Sequence, residues 1–239
     1  MASIALIAAD TGHASATNTE TALTNKGHTV TKIAEGNIGS TDFSEYDCIV
    51  AVRLTSSAGV AAALRSVIDG GKPALLGTMW SGATGGTTNQ PGPTSRMHLS
   101  GNFEVWSSVG INGMEIVDVT HEITDGFDLG DVFTTAADSY WVVIDTGTYL
   151  GTLLADGESG VAFVADQPET WAIEVGTEDQ DTPAVEVGAR VVCAGCVYGG
   201  QGVYSSDGEA FLDACIAWLT AGGGGTKPGR RSMSMAMSM

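Results

Sequence analysis

Gly71-Lys72-Pro73-Ala74-Leu75-Leu76-Gly77-Thr78-Met79-Trp80-Ser81-Gly82 is the stretch that decides the fold. Pro73–Leu76 has no polar alternation, which suits a short strand covered on both faces, as in a parallel sheet. Gly77 then opens a tight turn. In several α/β enzyme families such a strand-to-turn step presents the catalytic nucleophile. Here the turn offers Thr78, Met79 and Trp80, and no cysteine. Methionine has no ionisable proton and cannot supply a thiolate. Ser81 lies two residues further on and lacks the Gly-x-Ser-x-Gly frame. The stretch therefore predicts an α/β fold while removing its usual chemistry.

Working back towards the amino end, Ser57–Asp69 places Val60, Leu64, Val67 and Ile68 on one helical face, and Gly70-Gly71 stops it. Asp47–Val52 is another apolar run, led in by the polar Thr41–Tyr46. His28–Ala34 alternates like a strand. Ala14–Lys26 is a Thr-rich helix closed by Gly27, and Ser3–Ala9 is a first buried strand. Asp10-Thr11-Gly12-His13 is the loop between them. Four strands with intervening helices imply right-handed crossovers and a parallel sheet.

Working forward, Gly82–Ser100 is rich in Gly, Thr, Pro and Ser and reads as a long contact loop or lid. About 102–176 is β-rich, with strands expected at Glu104–Val109, Met114–Val119, Val132–Ala136, Tyr140–Ile144, Leu150–Leu154, Val161–Ala165 and Thr170–Val175. These extend the sheet or form a subregion. Thr177–Pro183 is an acidic loop. Ala189–Ala194 returns to a buried strand, and Gly199–Tyr204 is a glycine loop. Ser206-Asp207-Gly208-Glu209 has the spacing of a capping box. The helix after it carries Phe211, Leu212, Cys215, Ile216, Trp218 and Leu219. The chain thus divides into an α/β domain at 1–221 and a Gly linker with a basic Ser/Met tail at 222–239.

The 239 residues carry 28 acidic and ten basic side chains, a net charge of −18. All the acids and seven of the bases precede Gly222, leaving the body at −21. The tail holds Lys227, Arg230 and Arg231 and no acid. A body of this sign repels phosphate backbones and argues against nucleic acid. No run of eighteen apolar residues predicts a membrane span. The first ten residues lack a basic n-region, so a strand is expected there, not a signal peptide. Cys48, Cys193, Cys196 and Cys215 are too few for a disulfide framework and are read as buried thiols. Cys193 and Cys196 have CxxC spacing, but no second Cys or His pair follows it at zinc spacing. Gly82–Gly86 lacks the P-loop lysine, and Gly199–Gly202 lacks a dinucleotide-binding context, so no cofactor is expected.

The order of these pieces resembles the class I glutamine amidotransferase-like fold, and within it the ThuA-like branch. Lys26-Gly27-His28-Thr29-Val30 is similar to the family's step into the second strand. Glu45-Tyr46-Asp47-Cys48-Ile49-Val50 is similar to the entry to the third. Gly71–Gly77 is similar to the approach to the nucleophile turn. Val119-Thr120-His121-Glu122-Ile123-Thr124-Asp125-Gly126 is similar to a ThuA-like "HPIT-G" segment. Gly188–Val192 through Trp218 is similar to the last strand, glycine loop and closing helix. The resemblance, which spans most of residues 1–220, implies a flavodoxin-like, three-layer parallel sheet, to which the residues themselves add a β-rich insertion and an extended C-terminal tail. In the amidotransferases it also implies a cysteine activated by a downstream His–Glu pair, a cysteine that ThuA-like proteins often lack. Thr78 and Met79 stand where the cysteine belongs, and Cys196–Gly199 offers no histidine.

For an enzyme of ThuA type, or a sugar-binding protein, the candidates are Asp10 and His13 in the loop after the first strand, with His121 and Trp80. Ligands of open α/β sheets sit at the carboxyl ends of the strands. Asp10 and His13 are also ordinary turn residues, and Glu122, Asp125 and Asp128 around His121 read as a solvated acidic turn before a cation site. Trp80, Trp106, Trp141 and Trp171 read as core or intersubunit packing before a sugar surface.

The leading expectation is a non-catalytic structural or interaction subunit, cytoplasmic or in a virion as a capsid decoration or tail-associated protein. It would be anchored to copies of itself or another subunit by Lys227, Arg230, Arg231, Met233, Met235, Met237 and Met239. The four methionines alternate, as apolar contacts along one side of an extended segment would.

Overall fold

The computed structural model describes residues 1–54, 58–77, 103–107, 114–116, 118–133, 140–144, 148–153, 156–165, 170–171, 185–186, 189–194 and 204–221. Thr78–Trp80, Cys196, the Gly82–Ser100 loop, the Thr177–Pro183 loop and the 222–239 tail lie outside them, as does the side chain of Cys193.

Five parallel strands form the centre. They are β1 (Ser3–Ala8), β2 (Thr29–Ala34), β3 (Cys48–Val52), β4 (Ala74–Leu76) and β13 (Val191–Ala194). Their spatial order is β2-β1-β3-β4-β13, and each neighbouring pair is parallel. This is the doubly wound flavodoxin-type order, with its reversal between β1 and β3. Between the strands run α1 (Ala14–Asn25) and α2 (Ala58–Asp69), and α3 (Ser206–Thr220) closes the domain. Glu35–Ser40 forms a 3-10 turn that the sequence reading did not anticipate.

Alternate residues of each central strand feed two separate cores, because successive side chains point to opposite faces. Ile4, Leu6, Cys48, Val50, Leu75 and Val192 pack with Leu23 of α1 and with Phe211, Cys215 and Ile216 of α3. Ala5, Ile7, Ile49, Ala51, Ala74, Leu76 and Val191 pack with Ile38, Leu64 and Ile68 on the α2 side. The result is three layers, as the parallel-sheet reading requires. Phe211 is the largest fully buried side chain among the described residues, and truncating such a ring costs about 3–5 kcal/mol.

The two helix stops follow from glycine. Gly27 (φ 85°) donates to the Thr24 carbonyl, and His28 donates to Leu23. Gly71 (φ 95°) repeats this with Ile68, and Lys72 with Val67. Both are Schellman motifs with glycine in the left-handed position. The start of α3 corrects the sequence reading. Ser205, not Ser206, is the N-cap, and its Oγ accepts from the Gly208 amide at 3.1 Å. Glu209 thus falls one position too late for a capping box and instead accepts from Asn25 Nδ2 at 2.8 Å.

Beyond β13 the sheet turns antiparallel. β10 (Asp156–Ala165) pairs with β13, then β9 (Thr148–Leu153), β6 (Met114–Ile116) and β7 (Val132–Phe133) follow. β5 (Phe103–Ser107) and β8 (Tyr140–Ile144) pair with each other, and β8 also pairs with β10. These middle strands therefore extend the main sheet. β11 (Thr170–Trp171) and β12 (Val185–Glu186) form a separate pair. Of the expected strands Val132–Ala136 and Thr170–Val175, Val132–Phe133 and Thr170–Trp171 are strand, and the remainder of each lies outside the described residues.

Candidate functional site

The carboxyl ends of β1 and β3 meet at the point where strand order reverses. The loop after β1 is built by its own polar residues. Asp10 Oδ1 accepts from the Gly12 amide at 2.8 Å, and the Asp10 carbonyl accepts from the His13 amide at 3.2 Å. Glycine leaves this approach uncrowded, since a Cβ at Gly12 would lie 3.3 Å from Asp10 Oδ1. His13 is the N-cap of α1: its Nδ1 accepts from the Ser15 amide at 3.1 Å and stands 2.7 Å from Ser15 Oγ. With Nδ1 accepting, the neutral ring carries its proton on Nε2.

Directly after β3 comes Arg53, the one non-glycine residue with positive φ among those described, at 49°. An L-residue in this region is held there at a cost of roughly 1–2 kcal/mol. The Arg53 carbonyl accepts from the Ala9 amide at 3.4 Å, tying the two strand ends together. Burial lowers the His13 pKa below its ordinary value, and the Arg53 guanidinium lowers it further, against an opposing pull from Asp10. The three side chains thus share one electrostatic neighbourhood. A neutral imidazole N–H, a guanidinium and a carboxylate together can hold a small polar ligand or move a proton. Arg53 was not singled out from the sequence. The signal was there, in a lone arginine immediately after the apolar Cys48–Val52.

His121 is elsewhere. Its ring packs on Trp218 at 5.2 Å between centroids, tilted by 59°. Arg190 lies over the other part of this stack, 4.6 Å from the Trp218 ring, and donates from Nη1 to the Trp218 carbonyl at 2.9 Å. Arg190 immediately precedes β13, and Trp218 is in the last turn of α3, so this cluster sits at the amino end of the sheet. Asp10 and His13 sit at the opposite end, where α1 begins. The 12 residues of α1 alone span about 18 Å between the two levels. The grouping of Asp10, His13 and His121 in one cleft is therefore corrected: the first two come together with Arg53, and His121 does not. Sequence order does not say at which end of a sheet a loop emerges.

The segment around His121 is turn-forming. Asp118 Oδ1 accepts from Thr120 N and Oγ1, both at 2.7 Å, which holds the carboxyl below its usual range. His121 Nδ1 accepts from the Ile123 amide at 3.2 Å. Among the described residues no group of three or more His, Cys, Asp or Glu side chains is placed to hold a metal. No described helix is long and apolar enough to cross a membrane. Cys48 and Cys215 are fully buried, and burial pushes the Cys48 thiol up to about 12.

No protein-family model matches the chain, and no curated protein matches its sequence. Solved structures do match. A cytoplasmic protein from Salmonella typhimurium is 9% identical with a TM-score of 0.55, over 90% of this chain and 98% of that one. A catalytic mutant of a GH42 β-galactosidase from G. stearothermophilus is 11% identical with a TM-score of 0.54, over 90% of this chain and 29% of the galactosidase. A putative ThuA-like protein from Bacteroides uniformis is 8% identical with a TM-score of 0.49, over 91% of this chain and 90% of that one. At these identities the first two show a shared fold.

Proposed function

We propose that this chain is a non-catalytic subunit of amidotransferase-like fold that works by assembling with copies of itself or with another subunit, through its basic C-terminal tail. The observation that carries the proposal is the sequence after β4: Gly77-Thr78-Met79-Trp80 holds no thiol where the catalytic amidotransferases carry theirs. The described thiols do not substitute for it, because Cys48 and Cys215 are core residues. What distinguishes the chain instead is its charge division, −21 on residues 1–221 against +3 on the tail. Complementary charge of this kind steers and orients association. A virion component is one setting for such a subunit. Removing residues 223–239 is expected to abolish incorporation into the assembly while circular dichroism and melting temperature stay unchanged. Normal assembly of the shortened chain would defeat the proposal.

A second reading, a ThuA-type ligand or enzyme site, is favoured by one observation: Arg53 is held at φ 49° beside His13 and Asp10 at the switch point. Strained backbone of this kind clusters at ligand sites. A thermal-shift screen of sugars and small carboxylates tests it, since a ligand of the folded state must raise the melting temperature.

A further inference from the structure

We infer that the β7 edge with the turn before it is the surface on which the tail of a second copy docks. The inference rests on the tail-mediated assembly proposed above and names its receiving surface.

Three observations converge there. Large exposed apolar side chains among the described residues are Met1, Leu129 and Val132, and two of the three fall within four residues of sequence here, at 68% and 49% exposure. β7 is the last strand on its side of the sheet among the described residues, pairing with β6 alone. Such an edge presents backbone donors and acceptors to an incoming extended segment. Around it, residues 118–131 carry Asp118, Glu122, Asp125, Asp128 and Asp131 and no lysine or arginine. Glu122, Asp125, Asp128 and Asp131 are exposed.

The occupant that fits is residues 227–239. Lys227, Arg230 and Arg231 match the carboxylates in sign. Met233, Met235, Met237 and Met239 recur at the spacing of one face of a strand, the face that would meet Leu129 and Val132. The point of departure also fits. Trp218, in the last turn of α3, stacks on His121, and Ile116 and Ile123 share its core cluster. The end of α3 therefore lies beside the surface that would receive the tail. Two copies facing each other across this region place each exit next to the other's dock, the arrangement of a two-fold exchange.

The test uses full-length chains and light-scattering mass after gel filtration, with melting temperature as the folding control. Two variants are made: Lys227→Glu/Arg230→Glu/Arg231→Glu in the tail, and Asp125→Lys/Asp128→Lys/Asp131→Lys at the edge. Each is expected to weaken association at least tenfold, and mixing or combining the reversed charges is expected to restore it. Raising salt should weaken the parent assembly, because the pairs are exposed. If the tail variant dissociates and the edge variant does not, the dock is wrong and tail-mediated assembly stands. If neither dissociates, tail-mediated assembly fails and this inference fails with it. A full-length monomer whose tail cross-links only within its own chain also overturns the exchange.

Discussion

His28 shows how much a single side chain organises here. Its Nδ1 accepts from the Ala2 amide at 3.2 Å, and its Nε2 lies 2.9 Å from Asp213 Oδ1. One buried ring so joins the first strand, the end of α1 and the middle of α3. Replacing it by leucine leaves the Ala2 N–H unsatisfied, a loss of about 1–3 kcal/mol, to be read from urea unfolding. Asp213→Asn keeps an acceptor on a side chain that is 45% exposed and is expected to cost well under ~1 kcal/mol. His13 gives the pH prediction. Its pKa lies below 6.5 in the folded state through burial, with Arg53 adding to the effect. A histidine depressed on folding stabilises the fold fully above 6.5, and the contribution drains away as pH falls below that value, because the unfolded chain takes the proton first. By NMR, Arg53→Gln is expected to raise the His13 midpoint and Asp10→Asn to lower it further. Unmoved midpoints would separate these three residues.

At the level of elements, the glycine caps offer the cleanest comparison. A Cβ at Gly27 meets nothing within 4 Å, so Gly27→Ala has only the strain of φ 85° to bear, about 1–2 kcal/mol. Gly36 is equally open but does not require positive φ. Gly36→Ala is expected to stay within about 0.5 kcal/mol of the parent. Equal effects of the two substitutions would contradict the cap assignment. Elements with strong local rules were legible in the sequence. Ile4–Ala8, Cys48–Val52 and Ala74–Leu76 are apolar throughout because both faces are covered, and Gly27 and Gly71 mark the helix ends. The α3 start was displaced by one residue because Ser205 and Ser206 are chemically equivalent as caps, and only the backbone decides between them. The 3-10 turn at Glu35–Ser40 buries Ile38 alone, too little periodicity to read. At the site, Asp10 and His13 were legible from their place after a buried strand. Arg53 carried the same signal, but only the strand order places it beside them, and the separation of His121 needed to be seen in three dimensions.

For the molecule as a whole, the sheet supplies two different surfaces. Its parallel half ends in the polar switch point at Asp10, His13 and Arg53. Its antiparallel extension ends in an acidic, partly apolar edge at Leu129–Val132, next to where the C-terminal segment departs. The proposed role uses the second surface and leaves the first as retained architecture of the fold. The native mass of the full-length chain tests this most directly. At micromolar concentration and low salt it is expected to be a whole multiple of 24.4 kDa, falling to that single value when Lys227, Arg230 and Arg231 are reversed to glutamate. A full-length chain of 24.4 kDa that binds no other subunit, or a multimer indifferent to the tail charges, would contradict the account.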